Sequence, residues 1–104
     1  MPEAKAFVIV QIAINDRAGY HQYEIAGHQQ IFDKFGAKVV GLDEDVEIVE
    51  GAWPCTRTVL IEFPSKQLAR AWYDSDEYQA VVGLRHDAAT SNLVIVSGYP
   101  GSAR

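Results

Sequence analysis

Arg85 falls in the middle of an apolar helical stripe. Tyr78, Val81, Val82, Arg85 and Ala89 share one face of a helix. A cation at that position must be paired or must serve a ligand, because an unpaired buried charge is costly. In one reading, the planar guanidinium clamps a substrate carboxylate or enolate. In the other, Arg85 makes an ion pair with an internal acid, Glu62 or Glu24, or its long side chain reaches solvent past the helix end.

Glu24 and His28 form the second candidate group. With Tyr20, Gly27, Ile31 and Phe35 they lie on one broad face of an expected helix. Their i, i+4 spacing predicts a hydrogen bond between them. Such a carboxylate orients the imidazole and raises its basicity, as a general base requires. The alternative is a solvated pair at the edge of the stripe. Gly27 either makes room for a ligand or lets the helix sit close to the sheet. Glu24, His28 and Arg85 are therefore the catalytic candidates. Gln11, Tyr23, Trp53, Tyr73 and Arg85 are the ligand-contact candidates, with Gln11 on the sheet floor and Trp53 as a lid or a dimer anchor. An acid–base pair opposite a fixed cation suits proton transfer next to a carbonyl.

Other chemistries find less support. The three histidines, His21, His28 and His86, show no recurring metal-ligand spacing, and no third ligand accompanies Glu24 and His28. No metal and no cofactor is expected. The single cysteine, Cys55, allows neither an internal disulfide nor a cysteine metal cluster. No P-loop, nucleophile elbow or zinc pattern is present.

The elements that must position these residues follow from pattern and punctuation. Residues 5–14 are apolar and β-branched, broken by Gln11, and read as a strand buried on both faces. Asp16 caps a helix expected over 17–35, ended by Gly36. Residues 37–42 and 46–50 read as two short strands or one bent hairpin around the acidic turn Asp43-Glu44-Asp45. A strand is expected over 57–63. Ser65 and Ser75 then cap helices over about 65–73 and 75–89, and a last strand runs from 92 to 99. The order is β-α-β-β-α-β, a ferredoxin-like α+β sandwich with helices on one face of a four-stranded sheet. Phe7, Ile9, Val59, Ile61, Phe63, Trp72, Tyr78 and Val94 are the expected core. The first strand is apolar on both sides, so a monomer would expose an apolar sheet face. A homodimer closing sheet face on sheet face is the expected assembly.

A chain of 104 residues suffices for one domain, placed at residues 1–99, with a Gly/Ser-rich tail at 100–104. The net charge of −5 argues against a nucleic-acid partner, which would want a basic stripe. No apolar run approaches the roughly 20 residues of a membrane span. The first residues lack the basic region of a signal peptide. A cytoplasmic location is the expectation.

The run Glu62-Phe63-Pro64-Ser65, Ala69-Arg70-Ala71-Trp72-Tyr73, Ser75, Glu77-Tyr78-Gln79 and Arg85 resembles the bacterial domain-of-unknown-function family 1330. Tyr20, Tyr23, Lys34-Phe35-Gly36 and Glu50-Gly51-x-Trp53 match it as well. Where family members often carry Gly-Gly-Arg, this chain has Gly36-Ala37-Lys38, and lysine lacks the fork of arginine. The resemblance implies a dimeric α+β barrel. Its wider superfamily includes cofactor-free monooxygenases, isomerases and haem-binding proteins, so it implies no single reaction. Haem on His28 or His86 rests on that analogy alone. The functional expectation is a small organic ligand, anionic if Arg85 holds it, bound between helices and sheet. A cofactor-free enzyme of proton-transfer or monooxygenase type fits that expectation. The alternative is a non-catalytic dimer with a structural or regulatory role.

Overall fold

The computed structural model describes residues 4–99; the expected tail at 100–104 lies outside them. The elements are β1 (Ala6–Ile14), α1 (Arg17–Glu24), α2 (His28–Phe35), β2 (Lys38–Asp43), β3 (Arg57–Phe63), α3 (Lys66–Asp74), α4 (Asp76–Ala88) and β4 (Ala89–Ser97). The strands form one antiparallel sheet in the order β2-β3-β1-β4. This is the ferredoxin-like arrangement, in which each crossover returns past a neighbouring strand.

The three expected caps are in place. Side-chain oxygens of Asp16, Ser65 and Ser75 accept from the backbone N–H groups of Gly19, Leu68 and Tyr78. Each satisfies a donor that the helix leaves orphaned at its start. Ser75 also donates to the Trp72 carbonyl, 2.7 Å away, and so closes α3 as it opens α4.

Two local expectations are corrected. The helix over 17–35 is two helices, broken where Gly27 takes φ 86°. That left-handed conformation costs a side-chain-bearing residue but not glycine. Residues 46–50 form no strand, and β2 stays the edge of the sheet. Val49 is left 85% exposed.

The core lies between the helices and one sheet face. Val8, Val10 and Ile12 of β1 meet Ile61 and Phe63 of β3, Trp72 of α3, and Tyr78 and Val82 of α4. Ile61, Phe63, Trp72 and Tyr78 are buried as expected, and Val59 is half-buried. Phe7, Ile9 and Val94 are not in this core. The register sets Phe7 opposite Val96 and Glu62, and Ile9 opposite Val94 and Leu60, all on the other sheet face. Strand side chains alternate between faces, so an all-apolar strand feeds both. The outer face carries Val94 at 52% and Val96 at 41% exposure. Among the described residues, no helix is long and apolar enough to cross a membrane.

Candidate functional site

A cavity of about 200 Å³ opens between the helices and the core face of the sheet. Its floor is apolar: Val10 and Ile12 of β1, Val59 of β3 and Leu93 of β4. Tyr20, Tyr23, His28 and Phe32 come from α1 and α2, and Trp72, Tyr78 and Arg85 from α3 and α4. The exposed residues Val39, Leu42 and Glu24 mark its open side.

Arg85 is 3% exposed and lines this cavity. It faces inward because the stripe of α4 does, with Tyr78, Val82 and Ala88 buried beside it. Its Cζ lies 5.9 Å from the centroid of the Tyr23 ring, a cation–π contact. Neither acid considered as its partner holds it. Glu62 pairs with Lys5 at 3.5 Å, and Glu24 pairs with Arg57 at 2.6 Å. Among the described residues, no carboxylate forms a salt bridge with Arg85.

The groups around Arg85 are neutral hydrogen-bonding aromatics. The hydroxyls of Tyr23 and Tyr78 are 2.6 Å apart. Burial, and then the neighbouring Tyr78 oxygen, push the Tyr23 phenol well above its ordinary range, so it stays protonated. The Trp72 ring stacks 4.3 Å from that of Tyr78. Its Nε1–H is buried with no acceptor among the described residues. A buried donor left unpaired costs about 1–3 kcal/mol, so such atoms are rare and informative.

The Glu24–His28 hydrogen bond does not form. The break at Gly27 ends the helical spacing between the two residues. His28 Nε2 instead donates to the Tyr23 carbonyl at 2.7 Å, an acceptor near the end of α1. A carbonyl only accepts, so Nε2 carries the hydrogen and Nδ1 keeps the lone pair. Burial lowers the His28 pKa; the Tyr23 carbonyl opposes this and the Arg85 charge adds to it. His28 is therefore a neutral imidazole at pH 7, fixed in one tautomer. Its ring lies 4.4 Å from that of Tyr23. Arg85 and His28 thus flank the same tyrosine.

The remaining candidates sit elsewhere. Gln11 pairs in register with Thr58 and Asn92 and faces away from the cavity; its Oε1 accepts from Asn92 Nδ2 at 3.2 Å. Val10 and Ile12, not Gln11, supply the floor. Trp53 is also on the outer face, where its Nε1–H donates to Thr58 Oγ1 at 2.8 Å. Tyr73 packs 5.6 Å from Tyr78 but lines an adjacent hollow with Arg70, Leu93 and Ile95. Of the ligand-contact candidates, Tyr23 and Arg85 share the cavity, together with Glu24 and His28.

Arg57 is a cavity residue that sequence reasoning missed. It alternates inward with Val59, Ile61 and Phe63 along β3, a pattern legible in the sequence. Its Cζ sits 5.3 Å over the Tyr20 ring. Its terminal nitrogens donate to Glu24 at 2.6 Å and Glu44 at 3.2 Å. That hydrogen bond and charge hold the Glu44 carboxyl below its usual range.

The fold is similar to several solved structures. A protein of unknown function from Rhodopseudomonas palustris superposes with a TM-score of 0.73 at 18% identity, covering 93% of this chain and 84% of that one. SnoaB, a cofactor-independent oxygenase from Streptomyces nogalater, gives 0.63 at 10% identity, covering 97% and 99%. A dimeric ferredoxin-like protein of unknown function from Thermobifida fusca gives 0.62 at 12% identity, covering 91% and 92%. At these identities the likeness is one of fold. No curated protein matches the chain in sequence. Residues 5–99 match one family over nearly the whole chain, and the protein belongs to it: Domain of unknown function (DUF1330).

Proposed function

We propose that the cavity binds a small organic anion, with Arg85 as the group that holds its charge. The observation that carries this reading is an arginine 3% exposed, in a cavity wall, with no carboxylate partner among the described residues. Burying a lone cation costs several kcal/mol, and a ligand anion offsets that cost. Trp72 lines the same wall, and its buried Nε1–H has no acceptor among the described residues. The aromatic lining favours a flat, unsaturated ligand.

The same geometry suits a proton transfer next to a carbonyl. His28 Nδ1 is the base, kept neutral by burial and oriented through Nε2. Arg85 is the partner of the oxyanion that develops as the proton leaves. Glu24 is not part of this pair; its charge is spent on Arg57. The likeness to a cofactor-independent oxygenase sets oxygenation beside simple proton transfer as a reaction to test for this chain. A binding protein without turnover is the alternative reading.

The active assembly is a homodimer through the outer sheet face. Val94, Val96, Phe7 and Ile9 make that face apolar, and one fold likeness is to a dimeric ferredoxin-like protein.

Isothermal titration with a panel of one-ring carboxylates and phenolates tests the site. The expected result is saturable binding of at least one anion by the natural chain and binding weaker by about 10-fold or more in Arg85→Met. No binding across the panel, or equal binding by the variant, would overturn the reading.

A further inference from the structure

We propose that Glu24 and Glu44 make this cavity selective for monoanions. The inference rests on the reading that Arg85 holds a ligand anion. Two arginines line the cavity, Arg57 from β3 and Arg85 from α4. The Tyr20 and Tyr23 rings are 5.5 Å apart, with Arg57 over the first at 5.3 Å and Arg85 over the second at 5.9 Å. By position alone, a one-ring dianion would find a cation for each charge.

The two cations differ in what already holds them. Arg85 has no carboxylate partner among the described residues, whereas both terminal nitrogens of Arg57 are engaged, by Glu24 at 2.6 Å and Glu44 at 3.2 Å, and only its buried Nε–H is left unpaired among the described residues. The Arg57 side chain is only 12% exposed, so these pairs are sheltered from solvent on its side. Glu44 is further held by Arg17 at 3.5 Å. Glu24 itself lines the cavity. A second ligand carboxylate would therefore meet a neutralised arginine and a like charge, and like charges at close range repel. Size narrows the class further. The cavity holds about 200 Å³, against the roughly 150 Å³ cavity that accepts benzene. The ligand is one ring in size, anionic where it meets Arg85 and uncharged toward Glu24.

Titration calorimetry at pH 7.5 with 3-hydroxybenzoate and isophthalate tests this. The two share a ring and differ by one charge, since both isophthalate carboxyls are ionised there. The natural chain should bind 3-hydroxybenzoate at least tenfold more tightly. Glu24→Gln should narrow that ratio at least threefold by tightening isophthalate, and Glu44→Gln is the second variant should the first fail to fold. Equal binding of the two by the natural chain overturns the selectivity while leaving the anion site standing. An unchanged ratio in the variants does the same. Binding of neither compound, or unaltered binding by Arg85→Met, removes the anion site and the selectivity with it.

Discussion

Replacing Arg85 by methionine separates a ligand-holding cation from a structural one. Methionine keeps the unbranched apolar stem and removes the charge. The folded chain loses the cation–π contact with Tyr23, a contribution of about 0.5–2 kcal/mol. It also sheds the desolvation cost of the charge on a residue that is 3% exposed and has no carboxylate partner among the described residues, a cost of several kcal/mol. The second effect is the larger. Arg85→Met should therefore leave stability unchanged or raise it. Binding should move the other way. A hydrogen bond to a charged group contributes about 1.5–3 kcal/mol, so its loss weakens an anion by roughly 10- to 100-fold. Urea unfolding without ligand, at fixed protomer concentration, reads the first quantity, and calorimetry reads the second. A stability loss above about 2 kcal/mol would refute the reasoning, because it would mean that protein groups depend on that charge.

Three further outcomes are expected. His28 has its pKa lowered from 6.5 by burial, so the unfolded chain takes up its proton first. Stability should be full above pH 6.5 and fall as the pH drops toward the folded-state pKa. His28→Gln should flatten that part of the profile of urea midpoints between pH 5 and 8, and an unaltered profile would count against a buried neutral His28. Gly27 has φ 86° and open space where a Cβ would stand, so Gly27→Ala should cost about 1–2 kcal/mol from backbone strain alone, read from urea unfolding. Val94, 52% exposed on the outer sheet face, should tolerate lysine as a monomer. Sedimentation of Val94→Lys should show the monomer mass where the natural chain shows the dimer, and a stable monomer of the natural chain would defeat the proposed assembly.

What the sequence made legible were features set by local chemistry. Asp16, Ser65 and Ser75 announce helix starts because each supplies an oxygen to an orphaned N–H. Arg85 announces itself because helical period puts it among Tyr78 and Val82. The misses have physical reasons as well. Every odd and even position near the start of β1 is apolar, so alternation alone could not say that Val10 faces the helices and Gln11 does not; the register with β3 and β4 decides it. Gly27 is compatible with a helix interior or with a left-handed break, and only tertiary packing selects the break that parts Glu24 from His28. Arg57 is in phase with Val59 and Ile61, but a charged residue at the first position of a strand carries no signal of its own that it turns inward. The unpaired Trp72 Nε1–H carries no sequence signal, since any buried tryptophan looks the same in one dimension.

The central claim is that the wall holding Arg85 and Trp72 receives an anion. The most direct test is the indole N–H region of a nitrogen-15 spectrum. The chain has two tryptophans, so it gives two indole signals, assigned by Trp53→Phe. Trp72 lines the cavity and its buried Nε1–H has no protein acceptor among the described residues, while Trp53 Nε1–H is bonded to Thr58 on the outer face. Saturating 3-hydroxybenzoate should move the Trp72 signal downfield and leave Trp53 in place, and Arg85→Met should abolish the shift. A spectrum in which Trp72 never moves, or moves equally in Arg85→Met, would contradict the account.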